Sequence, residues 1–200
     1  MTPEQILSHP PKVLSQEQRE DYFDLGYVKV EGLIPKNTLV ELRRVIDKVL
    51  DASREETQSG TVFDLGPGHS PQKPVLRRLK KPDEYDQVFW DFASGLIADV
   101  ASDIAGPNVV FHHSKLNFKW NDGSDEVKWH QDAQFFPHTN YNVFTIGCYL
   151  NDTGLEDGPL AVMPGSHQGE LYNLYHGETW AGCLTDEDAD SLSMEDAEYL

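Results

Sequence analysis

The hydrophobic pattern changes period at Gly106-Pro107, and this change limits the fold more than any other feature of the 200-residue chain. Before it, apolar residues recur every three or four positions. Leu39, Leu42, Val45, Ile46, Val49 and Leu50 trace one face of a helix that follows Pro35. Ser15 and Gln18 have capping-box spacing, so a helix is expected to open there and to stop at Gly26, a residue suited to a left-handed C-cap. Residues 27–30 read as a short strand. Residues 57–74 are rich in Gly, Pro and Ser and read as loop. Helical signals return over 84–104.

After Pro107 the segments shorten, and β-branched and aromatic residues take over. Strands are expected over 109–120, 127–129, 143–150 and 160–163, the last of them buried. Turns are expected at 121–125, 155–158 and 164–169. The acidic stretch 185–200 reads as a surface helix or a loop. Helices followed by many short antiparallel strands predict an α+β fold. Its helical part, about 15–106, would pack on a jelly-roll barrel with strands over about 108–170. The length suits one domain spanning 1–200.

Charge narrows the partners. The formal net charge is −18, all 16 Lys and Arg residues lie at or before Lys128, and the last 72 residues carry 13 acids and no cation. Such a surface repels nucleic acid and anionic membrane, so neither is expected as a partner. The longest apolar runs fall well short of the ~20 residues that span a bilayer. The N-terminus shows no signal-peptide pattern, and two cysteines make no disulfide scaffold. A cytoplasmic setting with reduced thiols is the expectation.

Chemistry concentrates in Trp129-His130-Gln131-Asp132. On extended backbone, residues i and i+2 point to one side, so His130 and Asp132 can offer an imidazole and a carboxylate to one point. That is two thirds of the facial triad of non-heme Fe(II) enzymes. Taken alone, the pair is more often a histidine hydrogen-bonded to a nearby carboxylate than a metal site. Its surroundings favour a site: Trp129, Phe135 and Phe136 can wall off a dry cavity, and the ligand-rich run from His113 to Asn117 precedes it.

A wider pattern carries a resemblance. Phe136-Pro137 follows the pair, and Asn151 leads to Gly158-Pro159-Leu160-Ala161-Val162-Met163-Pro164-Gly165-Ser166-His167-Gln168-Gly169. Upstream stand Asp24-Leu25-Gly26-Tyr27-Val28 and Leu33-Ile34-Pro35. Over about residues 17–169 the chain resembles the phytanoyl-CoA dioxygenase family, a branch of the Fe(II)- and 2-oxoglutarate-dependent oxygenases. The resemblance implies a double-stranded β-helix of the cupin type, with Fe(II) as cofactor, 2-oxoglutarate as co-substrate, and O2 and a small molecule as reactants. It implies that His130 and Asp132 bind iron. Lys115, Asn117 and Thr145 would contact 2-oxoglutarate; a solvated strand lysine and a β-edge amide are the alternatives for the first two. His113, Trp129, Phe136 and His138 would line the substrate pocket, although a structural role is the favoured reading for His113. Retention of Asp132 implies hydroxylation, since related halogenases lack the carboxylate.

The chain also departs from the family. Family members take a third ligand from a later histidine and anchor 2-oxoglutarate on an arginine shortly after it. Here only His167 and His176 follow the Pro-Gly-Ser-His run, and no arginine follows Arg78. His167 fits turn packing, and His176 lacks apolar flanks. The expectation is therefore a barrel incomplete at Leu200, with the distal His and Arg beyond it. The alternative is a non-catalytic cupin-like module that binds a small molecule; a zinc hydrolase ranks last, because no general base has the required spacing. The basic run from Arg77 to Lys81 reads either as solvated surface or as a contact for an anionic substrate.

Overall fold

A computed structural model describes residues 1–120, 126–136 and 142–200. Helix α1 (Pro3–Leu7) precedes α2 (Gln16–Leu25), which opens on a complete Ser15–Gln18 capping box and closes on Gly26 at φ 85°. Helix α3 (Lys36–Ser53) buries Leu42, Val45 and Val49 on the predicted stripe. Helices α4 (Pro82–Tyr85), α5 (Gln87–Phe92) and α6 (Ala98–Ala105) occupy the second helical region, with a π-helical turn over Ala93–Ile97 joining the last two.

The loop expected at 57–74 contains a strand. Phe63–Leu65 (β1) pairs antiparallel with Leu76–Lys80 (β2), which pairs with Lys115–Asn117 (β3). Leu76 and Leu79 of β2 are fully buried against α3, together with Phe63 and Phe89. Local composition hid this strand: the leucines of a Leu-Arg-Arg-Leu-Lys run matter only when a helix covers one face of it. Further on come β4 (Ala161–Val162), a small hairpin of β5 (Tyr175–His176) and β6 (Thr179–Trp180), α7 (Asp186–Ser191) and β7 (Glu198–Tyr199), which pairs with β4.

Several expected strands form no ladder among the described residues. Residues 27–30 form no strand, and Val28 and Val30 pack on a second core of Leu14, Val100 and Ile104. Over 109–120 only β3 pairs, and Val110 is 90% exposed. Residues 127–129 and 143–150 carry no strand either. The last segment still alternates: Phe144, Ile146 and Leu150 are half-buried, Ile146 lies against the second core and Leu150 against the first. The alternation reported burial, and burial does not require a hydrogen-bonding neighbour. Leu160, expected inside, is 54% exposed. The turn expected at 121–125 lies outside the described residues. These residues form a mixed helix-and-sheet fold with three small antiparallel sheets. None of their helices is long and apolar enough to cross a membrane.

Two contacts lock the N-terminal part. Asp103 is buried and accepts three backbone N–H groups, from Lys12, Val13 and Leu14, at 2.7–2.9 Å. Arg19, also buried, donates to the carbonyls of Asp103, His9 and Ile6 and to the Gln16 side chain. The C-terminus of α2 is closed by the turn after β4. Gly165 N–H donates to Leu25 O at 2.7 Å, and His167 Nε2 donates to Phe23 O at 3.0 Å. Carbonyls that a helix end leaves unpaired are thereby satisfied. A Cβ on Gly26 would lie 2.3 Å from His167 Nδ1. Gly26→Ala is expected to cost about 1–2 kcal/mol from the left-handed backbone alone, and more from that overlap. Denaturant unfolding measures it, and an unchanged midpoint would contradict this account of the cap.

Candidate metal centre

His130 and Asp132 flank Gln131 on extended backbone, just before a 3-10 turn over Asp132–Phe135. His130 Nδ1 lies 2.8 Å from Lys128 O, and a carbonyl only accepts, so Nδ1 carries the proton. Nε2 therefore turns toward Asp132 Oδ1, 3.2 Å away. The other carboxylate oxygen, Oδ2, accepts from the Thr145 hydroxyl at 2.7 Å. The His130 imidazole is raised by its Asp132 bond, against a smaller opposing effect of burial. Asp132 is held down to about 2, first by His130 and, against burial, also by Thr145.

The donor set fits a divalent metal. An imidazole nitrogen and an ionised carboxylate oxygen converge at 3.2 Å, and either a proton or a cation lies between them, because their lone pairs would otherwise repel. Each has an outer partner that fixes its orientation, as metal-binding His and Asp normally do. Among the described residues no third His, Cys, Asp or Glu completes a cluster. His176 bonds through Nε2 to Leu184 O at 3.3 Å instead.

The other predicted residues divide by position. Lys115 lies on β3, and its charge reaches His113, His130 and Asp132. His113 is 2.7 Å from His112, nitrogen to nitrogen, and its ring meets Phe136 at 4.8 Å. Burial and the neighbouring His112 and Lys115 lower its pKa. Trp129 is half-buried and its carbonyl accepts from Leu184 N–H. Asn117 is turned to a different partner: its Oδ1 accepts from Arg78 Nε at 3.0 Å. His138 lies outside the described residues.

One functional element escaped the sequence reading. Gln131 Nε2 donates to Glu170 O, while its Oε1 accepts from Tyr172 N–H at 2.9 Å. Gln134 donates to Tyr172 O at 2.8 Å. The Phe135 ring bridges edge-to-face between His130 and Trp180 of β6, at 5.4 Å to each. Segment 170–184 is thus clamped onto the ligand turn. The signal was available, because residue i+1 of an extended His-x-Asp points away from both ligands and needs a partner there. Gln131→Leu leaves the Tyr172 N–H without this acceptor. Limited proteolysis is expected to cut 170–184 sooner in this variant, because the segment loses two of its bonds to the ligand turn. A wild-type cleavage rate would refute the clamp.

A histidine and a carboxylate two residues apart are two of the three donors of a 2-His-1-carboxylate metal site, the type that mononuclear non-heme iron proteins use. The phytanoyl-CoA dioxygenase (PhyH) family model matches residues 22–198, and the chain belongs to that family. It is 30% identical to a probable alpha-ketoglutarate-dependent hypophosphite dioxygenase of Stutzerimonas stutzeri, over 84% of this chain and 58% of the relative. It is 26% identical to an ectoine dioxygenase of Sphingopyxis alaskensis (77% and 49%) and 24% identical to the peroxisomal phytanoyl-CoA dioxygenase of Rattus norvegicus (80% and 49%). The chain thus spans about half the length of these curated relatives. The cofactors that go with this family are Fe(II) and 2-oxoglutarate.

Proposed function

We propose that this chain carries the Fe(II)-binding turn of a 2-oxoglutarate-dependent dioxygenase that hydroxylates an aliphatic C–H bond of a small molecule. The observation that carries the reading is the convergence of His130 Nε2 and Asp132 Oδ1, each held by its own outer partner. His130 and Asp132 would hold the iron, which when bound activates O2 with electrons from 2-oxoglutarate. Thr145 keeps Asp132 ionised and aimed. Lys115 is the cation beside the pair and suits one carboxylate of the co-substrate, with Asn117 and Thr145 as polar contacts. Phe136, His113 and Trp129 line the substrate side, where their rings exclude water, and His138 is assigned to the same side from the family resemblance alone. In this reading the extended 143–150 segment and β4 are staves of a cupin-type barrel, and residues 1–200 act as one cytoplasmic domain.

A second substrate reading comes from the Stutzerimonas relative, whose name carries hypophosphite. The oxidised bond would then be P–H, and the substrate a small oxyanion. The test is anaerobic titration of the chain with Fe(II) and 2-oxoglutarate, followed by O2 and assay for succinate. Metal-dependent succinate formation supports the oxygenase. Saturable small-molecule binding with no metal uptake would replace it with the non-catalytic module.

A further inference from the structure

Three aromatic rings gather beside the metal turn. Tyr175 on β5 and Trp180 on β6 are directly opposite in the hairpin register, so both project from one face of it. The Tyr175 ring meets the indole at 5.0 Å and 70°, and the Phe135 ring meets it at 5.4 Å and 76°. The indole thus stands at a steep angle to two rings, the arrangement of an open aromatic cage rather than of a flat stack. Gly182 permits the approach: a Cβ there would lie 3.2 Å from the Phe135 ring and 3.4 Å from Trp180 Nε1. The hairpin is anchored from its other face by His176, which bonds Leu184 O, and at its base by the fully buried Leu174. Phe135 also meets the His130 ring at 5.4 Å, so the indole is one ring removed from the metal turn.

Hairpin stability alone does not account for this group. A cross-strand Tyr–Trp pair stabilises a hairpin by taking its rings out of water. Here Tyr175, Trp180 and Phe135 keep 48%, 41% and 40% of their surfaces exposed. Their charge setting is one-sided as well. Residues 129–200 hold 13 acids and no Lys or Arg, and Glu178 stands in the two-residue turn between β5 and β6. A ring face carries partial negative charge. Three such faces in an acidic segment attract a cation and disfavour an oxyanion. An alkylammonium group suits them best, because its methyl or methylene shell needs apolar contact while its charge needs the ring quadrupole.

We propose that Phe135, Tyr175 and Trp180 form an aromatic cage that binds an alkylammonium group of the small-molecule substrate. Trp180 is its central wall and sets its specificity. The bonds from Gln131 and Gln134 to residues 170–172 hold the hairpin against the ligand turn, so the cage keeps a fixed distance from the metal ligands. The cation held there would place the rest of the substrate over the His130–Asp132 pair. The role as substrate anchor rests on the oxygenase reading, but the cage itself does not.

The experiment is calorimetric titration of the full chain with choline and with its uncharged isostere 3,3-dimethylbutan-1-ol, at constant ionic strength in an amine-free buffer. Wild type is expected to bind choline roughly 3–30-fold more tightly than the isostere, the range spanned by half-exposed and desolvated cation–π contacts. Trp180→Leu is expected to lose that preference, and Trp180→Phe to keep part of it, since an indole is the better ring for a cation. Trp90→Leu removes an equally exposed indole on α5, outside the cage, and is expected to leave it unchanged. Placement is read by proton NMR: the choline N-methyl signal should broaden with Co(II) on the protein and not with Zn(II). Equal affinity for choline and the isostere, an undiminished preference in Trp180→Leu, an equal loss in Trp90→Leu, or no saturable binding of choline would overturn the cage. General attraction of cations to a chain of net charge −18 would survive Trp180→Leu and so shows itself. Bound choline that Co(II) does not broaden would overturn its role as substrate anchor. Failure of wild type to take up Co(II) would remove the oxygenase reading, while a Trp180-dependent preference for choline would still uphold the cage. A melting transition for each variant separates binding loss from unfolding, and Trp180→Phe keeps the test decisive if Trp180→Leu does not fold.

Discussion

Asp132→Ala is expected to abolish turnover and to lower metal affinity by more than the roughly 10–100-fold that follows loss of an outer partner. The carboxylate is one of two converging donors, and without it His130 Nε2 faces no anion. A single imidazole is a weak site for a divalent metal. The Thr145 hydroxyl, which donates to Asp132 Oδ2, would lose its acceptor as well. Metal uptake is read by titration with Fe(II) or Co(II) and turnover by succinate. Thr145→Val, which keeps the ligand but removes its outer donor, should show an intermediate loss of metal affinity. Full activity in Asp132→Ala would end the assignment of this turn as the metal site.

Asp103→Ala is expected to have the largest effect on stability, about 3–5 kcal/mol, because one buried carboxylate accepts three backbone N–H groups. Three backbone N–H groups would lose their acceptor, that of Leu14 buried and those of Lys12 and Val13 part-buried. Each orphaned donor costs about 1–3 kcal/mol, and the three are not additive. Arg19 bonds the Asp103 backbone carbonyl, and as a donor-only group it cannot take the carboxylate's place as acceptor. The segment that leads into α2 would loosen from α6. At 2–4 °C per kcal/mol for a chain of this size, the melting midpoint should drop by roughly 10 °C. A shift near zero would mean that segment 12–14 contributes little to the fold.

Legibility differed with the range of the interaction. The α2 capping box, the α3 stripe and the turns at 155–158 and 164–169 depend on residues within one or two helical turns of each other, and all are present. Strand β1 was hidden because its partner, β2, carries a basic run whose two buried leucines become visible only under α3. The expected strand at 143–150 reads as alternating because one side rests on the helical cores, not because a neighbour pairs with it.

The sequence by itself determined the ends of α2, the buried stripe of α3, the two-residue spacing of His130 and Asp132, and the family. These follow from local periodicity and from motifs whose residues are adjacent in the chain. The helical region expected at 84–104, by contrast, is divided into α4, α5, a π-helical turn and α6. Only the tertiary structure decided what surrounds them. It brought Thr145, thirteen residues on, to the second carboxylate oxygen, and clamped Gln131 to residues 170–172. It also set Arg78 beside Asn117, 39 residues away in sequence. The physical reason is that a hydrogen-bond partner is selected by where packing places the backbone, and packing sums many weak apolar contacts over the whole chain.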